Sequence, residues 1–166
     1  MGGKKFGNII YYILIGVLVL ILINNFMSKS DAIFKAVGFR TYTILSGSME
    51  PTINTGDLAV VRSAEVNEVE VGDIITFKYD GNVVTHRIIE KNEEGFITKG
   101  DNNNAEDTEV VTASDLIGKV LFRIPFLGYV TIFLAKPIVI SGLVFLIALS
   151  VLWDTFKSDK KKKIEA

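Results

Sequence analysis

The side chains of greatest chemical reach in this chain are a serine, a histidine and two aspartates, carried in three separate short segments. Ser48 lies in Ser46-Gly47-Ser48-Met49-Glu50-Pro51, where small residues let another backbone approach and the proline fixes the chain direction. His86 is the one histidine among 166 residues and lies in Val83-Val84-Thr85-His86-Arg87-Ile88-Ile89-Glu90. Asp101 and Asp107 belong to a polar loop, Lys99-Gly100-Asp101-Asn102-Asn103-Asn104-Ala105-Glu106-Asp107. A serine hydroxyl becomes a nucleophile when an imidazole takes its proton. A carboxylate on the far ring nitrogen then holds the tautomer and steadies the cation. Each segment alone has a plainer reading, as a serine-rich turn, a structural strand histidine or an acidic surface loop. Together they supply the three roles of serine hydrolysis, with either aspartate able to orient the imidazole.

Composition narrows the alternatives. There is no cysteine, which excludes disulfides, a thiolate nucleophile and a thiolate-bound metal, and a single histidine excludes a zinc held by two or three imidazoles. The acidic loop lacks the spacing of a calcium-binding loop, so neither a metal nor an organic cofactor is implied. The net charge of −1 provides no basic field for nucleic acid. Positive charge gathers instead near the ends, at Lys4 and Lys5 and at Lys157, Lys160, Lys161, Lys162 and Lys163.

The elements that must hold these residues are mostly strands. Leu58–Arg62, Ile74–Tyr79, Asn82–Ile89, Phe96–Thr98 and Ile117–Ile124 are rich in β-branched residues and separated by turn signals such as Asp80-Gly81. Alternation along the third strand sets Val84, His86 and Ile88 on one face and Val83, Thr85, Arg87 and Ile89 on the other. The pattern predicts a mainly β domain over residues 30–129, built as a small barrel or a pair of sheets. Residues 6–26 carry no charge and just span a hydrocarbon core of about 30 Å at about 1.5 Å of rise per residue. A second uncharged stretch, residues 137–153, opens with Pro137 and ends with Trp153, near the short limit for a span. Positive flanks mark the cytoplasmic side. The expected organisation is a cytoplasmic N-terminus at 1–5, two transmembrane helices, a lysine-rich cytoplasmic tail at 154–166, and the β domain on the non-cytoplasmic face.

Ser46 to Thr52 closely resembles the nucleophile box of type I signal peptidases, and Gly56-Asp57-Leu58-Ala59-Val60-Val61 resembles the box that follows it. Val84-Thr85-His86-Arg87 is similar to the general-base strand of the histidine-containing branch, known from the endoplasmic reticulum, archaea and some Gram-positive bacteria. Lys99-Gly100-Asp101-Asn102-Asn103 and Ile124-Pro125-Phe126-Leu127-Gly128-Tyr129 resemble the family's later segments, in order, so the resemblance covers Ser46 to Tyr129. It implies a β-rich peptidase core shared with self-cleaving repressors, Ser48 as nucleophile and His86 as general base. It also implies Asp107 or Asp101 as the acid, and an oxyanion hole from the Ser46 hydroxyl and the Ser48 N–H. The implied activity is removal of N-terminal signal peptides from exported precursors at the membrane, with small side chains preferred one and three residues before the cut. The implied partners are such precursors and the lipid bilayer, in a bacterial or archaeal cell membrane, with accessory membrane subunits left open. Two rivals remain: Lys78 as the base, and a catalytically silent, membrane-anchored β module that binds export partners.

Overall fold

The computed structural model describes the backbone of residues 2–29 and 31–164, and the side chains of residues 9, 11–23 and 32–153. The lysines near both ends, from Lys4 and Lys5 to Lys157 and Lys160–Lys163, lie outside the described side chains. Contacts divide the chain into two units, one formed by Met1–Phe26 with Phe133–Ala166 and the other by Met27–Ile132.

In the second unit, a short helix α2 (Asp31–Val37) leads into six strands: β1 (Phe39–Thr43), β2 (Leu58–Ser63), β3 (Ile74–Tyr79), β4 (Asn82–Lys91), β5 (Phe96–Lys99) and β6 (Leu116–Ile124). All pairings are antiparallel, in the order β1-β2-β6-β3-β4-β5. The mainly β reading therefore holds, but the strands form one hydrogen-bonded sheet with β1 and β5 at its edges, not two sheets or a closed barrel. Register shifts at Val60/Val61, Thr76/Phe77 and Ile88/Glu90 interrupt the ladders. Such bulges bend a strand and increase its local twist.

The sheet serves two small cores. One gathers Val69, Ile75, Phe77, Ile88, Phe96 and Val111, and the other gathers Ile44, Met49, Ile53, Ala59 and Val61. Ile75 belongs to the first, while its neighbour Ile74 packs against the second, as the two-residue period of a strand requires. The second core matters most for the site, because Met49, buried to 1% exposure, anchors the turn that carries Ser48.

The other unit contains α1 (Gly2–Lys29) and α4 (Pro137–Ile164), with Pro137 at the first helical position. A short apolar helix, α3 (Leu127–Leu134), precedes α4. Among the described residues, no single helix is long and apolar enough to cross a membrane. Leu127–Leu134 and Pro137–Trp153 meet the length and composition of a span only together, as a bent pair, and Tyr11–Ile23 is a shorter apolar helix.

Candidate active site

The segment between β1 and β2 is a closed loop. Ile44 N–H donates to Asp57 O at 2.9 Å and Gly56 N–H donates back to Ile44 O at 2.8 Å. Gly56 has φ +85°, and a Cβ there would fall 1.9 Å from the Tyr129 ring, so both the turn and the packing require glycine. Asp57, almost fully buried, accepts from Asn54 N–H at 2.9 Å, Phe126 N–H at 3.2 Å and Arg123 Nη1 at 2.7 Å. Burial pushes its carboxyl up, but these donors outweigh burial and hold it below the ordinary carboxylate value. Within the loop, Glu50 N–H donates to Gly47 O and Ile53 N–H to Met49 O, which curls the chain so that Ser48 stands above the buried Met49.

On β4, His86 is 8% exposed and faces the same way as Ile88. Its Nδ1 lies 2.6 Å from Asp107 Oδ2 and its Nε2 lies 3.1 Å from Ser48 Oγ. With Nδ1–H donating to the carboxylate, Nε2 is left as an acceptor for the Ser48 hydroxyl. A proton can therefore move from Ser48 to His86 without rearrangement, and the resulting cation meets a carboxylate in hydrogen-bond contact. Ser46 Oγ stands 3.3 Å from Ser48 Oγ, at the exposed rim of the same site.

Asp101 is bonded to Arg87 and not to the imidazole. It accepts from Arg87 Nε at 2.8 Å and Arg87 Nη2 at 2.6 Å, while Arg87 Nη1 donates to Gly72 O at 2.8 Å. The paired Arg87 guanidinium holds the Asp101 carboxyl below its usual value, against the upward push of partial burial. Lys78, the other base considered, pairs with Val83 and alternates away from Ile75, the residue opposite His86. It is exposed on the other side of the strand.

Thr98 stands in none of the sequence motifs. Fully buried on β5, it donates from Oγ1 to Asp107 Oδ2 at 2.6 Å, and its carbonyl accepts from Asp107 N–H at 2.8 Å. Thr98 Oγ1 and His86 Nδ1 thus converge on the same carboxylate oxygen, Asp107 Oδ2. The only sequence signal was alternation along β5, since Thr98 pairs with Ile88 and so shares the face of His86.

A cleft of about 560 Å³ runs past Ser48 and His86, with Tyr42–Leu45 along one wall and Asn82–Thr85 along the other. β1 is an edge strand, and the first half of β4 pairs with β3 but not with β5, whose partners begin at Arg87. The walls therefore include strand edges of the kind that bind an extended peptide by main-chain hydrogen bonds.

The Peptidase S24-like family matches residues 26–121. Signal peptidase I W of Bacillus subtilis is 44% identical over 119 residues, covering 66% of this chain and 61% of that protein. The signal peptidase complex catalytic subunit SEC11 of Pyricularia oryzae is 41% identical over 107 residues, covering 56% of this chain and 62% of that protein. SEC11 of Neurospora crassa is 40% identical over the same length, with the same coverage. The match thus spans about three-fifths of each of these relatives.

Proposed function

The chain belongs to the Peptidase S24-like family, within which it sides with the histidine-containing signal peptidases, and from that premise we propose that it is a membrane-bound serine endopeptidase. Its reaction is removal of N-terminal signal peptides from exported precursors. The observation that carries this reading is the hydrogen-bonded line from Ser48 through His86 to Asp107, with Ser48 and His86 lining an open cleft.

A precursor segment enters the cleft extended, between the strand edges at Tyr42–Leu45 and Asn82–Thr85. His86 takes the hydroxyl proton as Ser48 Oγ attacks the scissile carbonyl, and Asp107 steadies the imidazolium. The tetrahedral oxyanion is met by the Ser48 N–H and the Ser46 hydroxyl, a type of contact worth about 3–4 kcal/mol per donor in a dry site. Collapse forms the acyl-enzyme and gives the His86 proton to the departing amine. His86 then activates a water that releases the acid. Small side chains one and three residues before the cut are the preference inferred from the family resemblance.

For topology, residues 6–26 form one membrane span and residues 137–153 the second, with α3 preceding the latter across a break as the other half of the bent apolar pair. Residues 1–5 and 154–166 lie in the cytoplasm, and residues 30–129 act on the far side of a cell membrane. The apolar composition of both stretches and the lysines at both ends support this arrangement. The reading is tested by incubating membranes that hold the chain with a tagged precursor library and sequencing new N-termini. New ends just beyond hydrophobic leader segments are expected. Absence of any new end, with precursor still bound to the chain, would support a silent binding module instead.

A further inference from the structure

We propose that Asn102 is a positioning residue that orients the oxyanion-binding peptide between Gly47 and Ser48; this rests on Ser48 being the nucleophile. The Asn102 side chain donates from Nδ2 to Gly47 O at 3.1 Å, and its backbone N–H donates to Ser48 O at 2.8 Å. One residue therefore holds both peptide units that flank Ser48. In a trans peptide the C=O and N–H point in opposite directions. Tying the Gly47 carbonyl to the loop, which Asn102 does alongside the Glu50 N–H that donates to the same oxygen at 3.1 Å, turns the Ser48 N–H away from it, where it can meet a developing oxyanion. A hydrogen bond accepted by the carbonyl also polarises that peptide and strengthens the N–H as a donor.

The surroundings fix Asn102 for this task. Asn103 N–H donates to Gly100 O at 2.9 Å, closing a tight turn with Asp101 and Asn102 in its middle. The turn packs so closely that a Cβ on Gly100 would fall 2.6 Å from Ser48 O. Arg87 grips Asp101 through two nitrogens and so anchors the turn to β4, one residue from His86. Asn102 itself is exposed, so its side chain is not explained by filling a core. The acid of this loop that does not face the imidazole thus has a role of its own: it steadies the turn that presents Asn102.

The test uses the full chain in detergent or vesicles, with a cleavable precursor peptide, a non-cleavable analogue, and a peptide aldehyde that adds to Ser48 as a hemiacetal. Asn102→Ala is expected to lower kcat about ten- to hundredfold, less than outright loss of an oxyanion donor because the Ser48 N–H stays and only its aim is relaxed, with KM and analogue affinity within about twofold. Aldehyde affinity should fall by a factor similar to that in kcat/KM. Asn102→Asp keeps the size and backbone N–H but loses the donor, and should lose as much. It carries the comparison if the alanine variant folds poorly. Near-parental kcat in either folded variant overturns the proposal, as does a parallel loss of analogue and aldehyde affinity. An active Asn102→Ala alongside an inactive Ser48→Ala would reject the role of Asn102 and leave the peptidase reading intact. A parent chain that cleaves nothing would remove both.

Discussion

His86 and Arg87 adjoin in the chain and, because they are on a strand, point opposite ways. The loop that follows β5 returns one aspartate to each, Asp107 to the imidazole and Asp101 to the guanidinium. Removing them should have different consequences. Asp107→Asn should lower kcat about a thousandfold or more, with little change in melting temperature, because an amide cannot hold the same tautomer or balance the cation. Asp101→Ala should cost about 1–2 kcal/mol of stability, since it breaks a two-point ion pair that is largely but not wholly shielded from water, and should lower kcat less. Parallel measurement of kcat and thermal midpoint separates the two, and the reverse pattern would exchange their roles. Thr98→Val should lower kcat about tenfold by freeing the Asp107 carboxylate, while Thr98→Ser keeps the donor and most of the rate. Residue types and order were enough to mark Ser48, His86 and the pair of aspartates as candidates. What chose between the aspartates was pairing: with Thr98 opposite Ile88, the loop closes with Asp107 N–H on Thr98 O, a long-range fact that no local pattern carries.

At the level of elements, β2 to β6 were legible because each is a compact β-branched run bounded by turns, and the observed ends differ by a residue or two. β1 was not foreseen. Phe39-Arg40-Thr41-Tyr42-Thr43 is a partly exposed edge strand of mixed polarity, defined by its pairing with β2. The insertion of β6 between β2 and β3 was hidden for the same reason, and it is what makes one sheet of six. Asp57 binds these pieces together, joining the start of β2, the loop of Ser48, Arg123 on β6 and the corner before α3. An unfolded aspartate titrates near 3.8, whereas folded Asp57, Asp101 and Asp73 titrate lower, Asp73 because the upward push of its partial burial is outweighed by the Lys119 ammonium and the Glu70 N–H that donate to it. Below about pH 4 the unfolded chain therefore binds protons that the folded chain refuses, so these groups' stabilisation is complete above that value and is lost as pH falls through their folded values. Denaturant midpoints recorded from pH 7 to pH 2 should drop in that acid window. Asp57→Asn should start lower at pH 7 and lose less in acid, and an unchanged acid slope would rule out Asp57 as a contributor.

At the scale of the whole molecule, the proposed topology sets both ends on one side of a membrane and the sheet on the other. Protease added to right-side-out vesicles should cut within residues 30–128 and spare a tag placed after Ala166. A tag accessible from that side would remove the second span from the account. The proposed chemistry and the proposed topology meet in one expectation: the hydroxyl at position 48 cuts a precursor beyond its hydrophobic leader. The most direct measurement is cleavage of a single exported precursor by membranes carrying either the parent chain or Ser48→Ala at equal abundance, followed by sequencing of the product's N-terminus. The account predicts one defined new N-terminus with the parent and background cleavage with Ser48→Ala. Cleavage at the same bond and near the parental rate by the Ser48→Ala chain would contradict it.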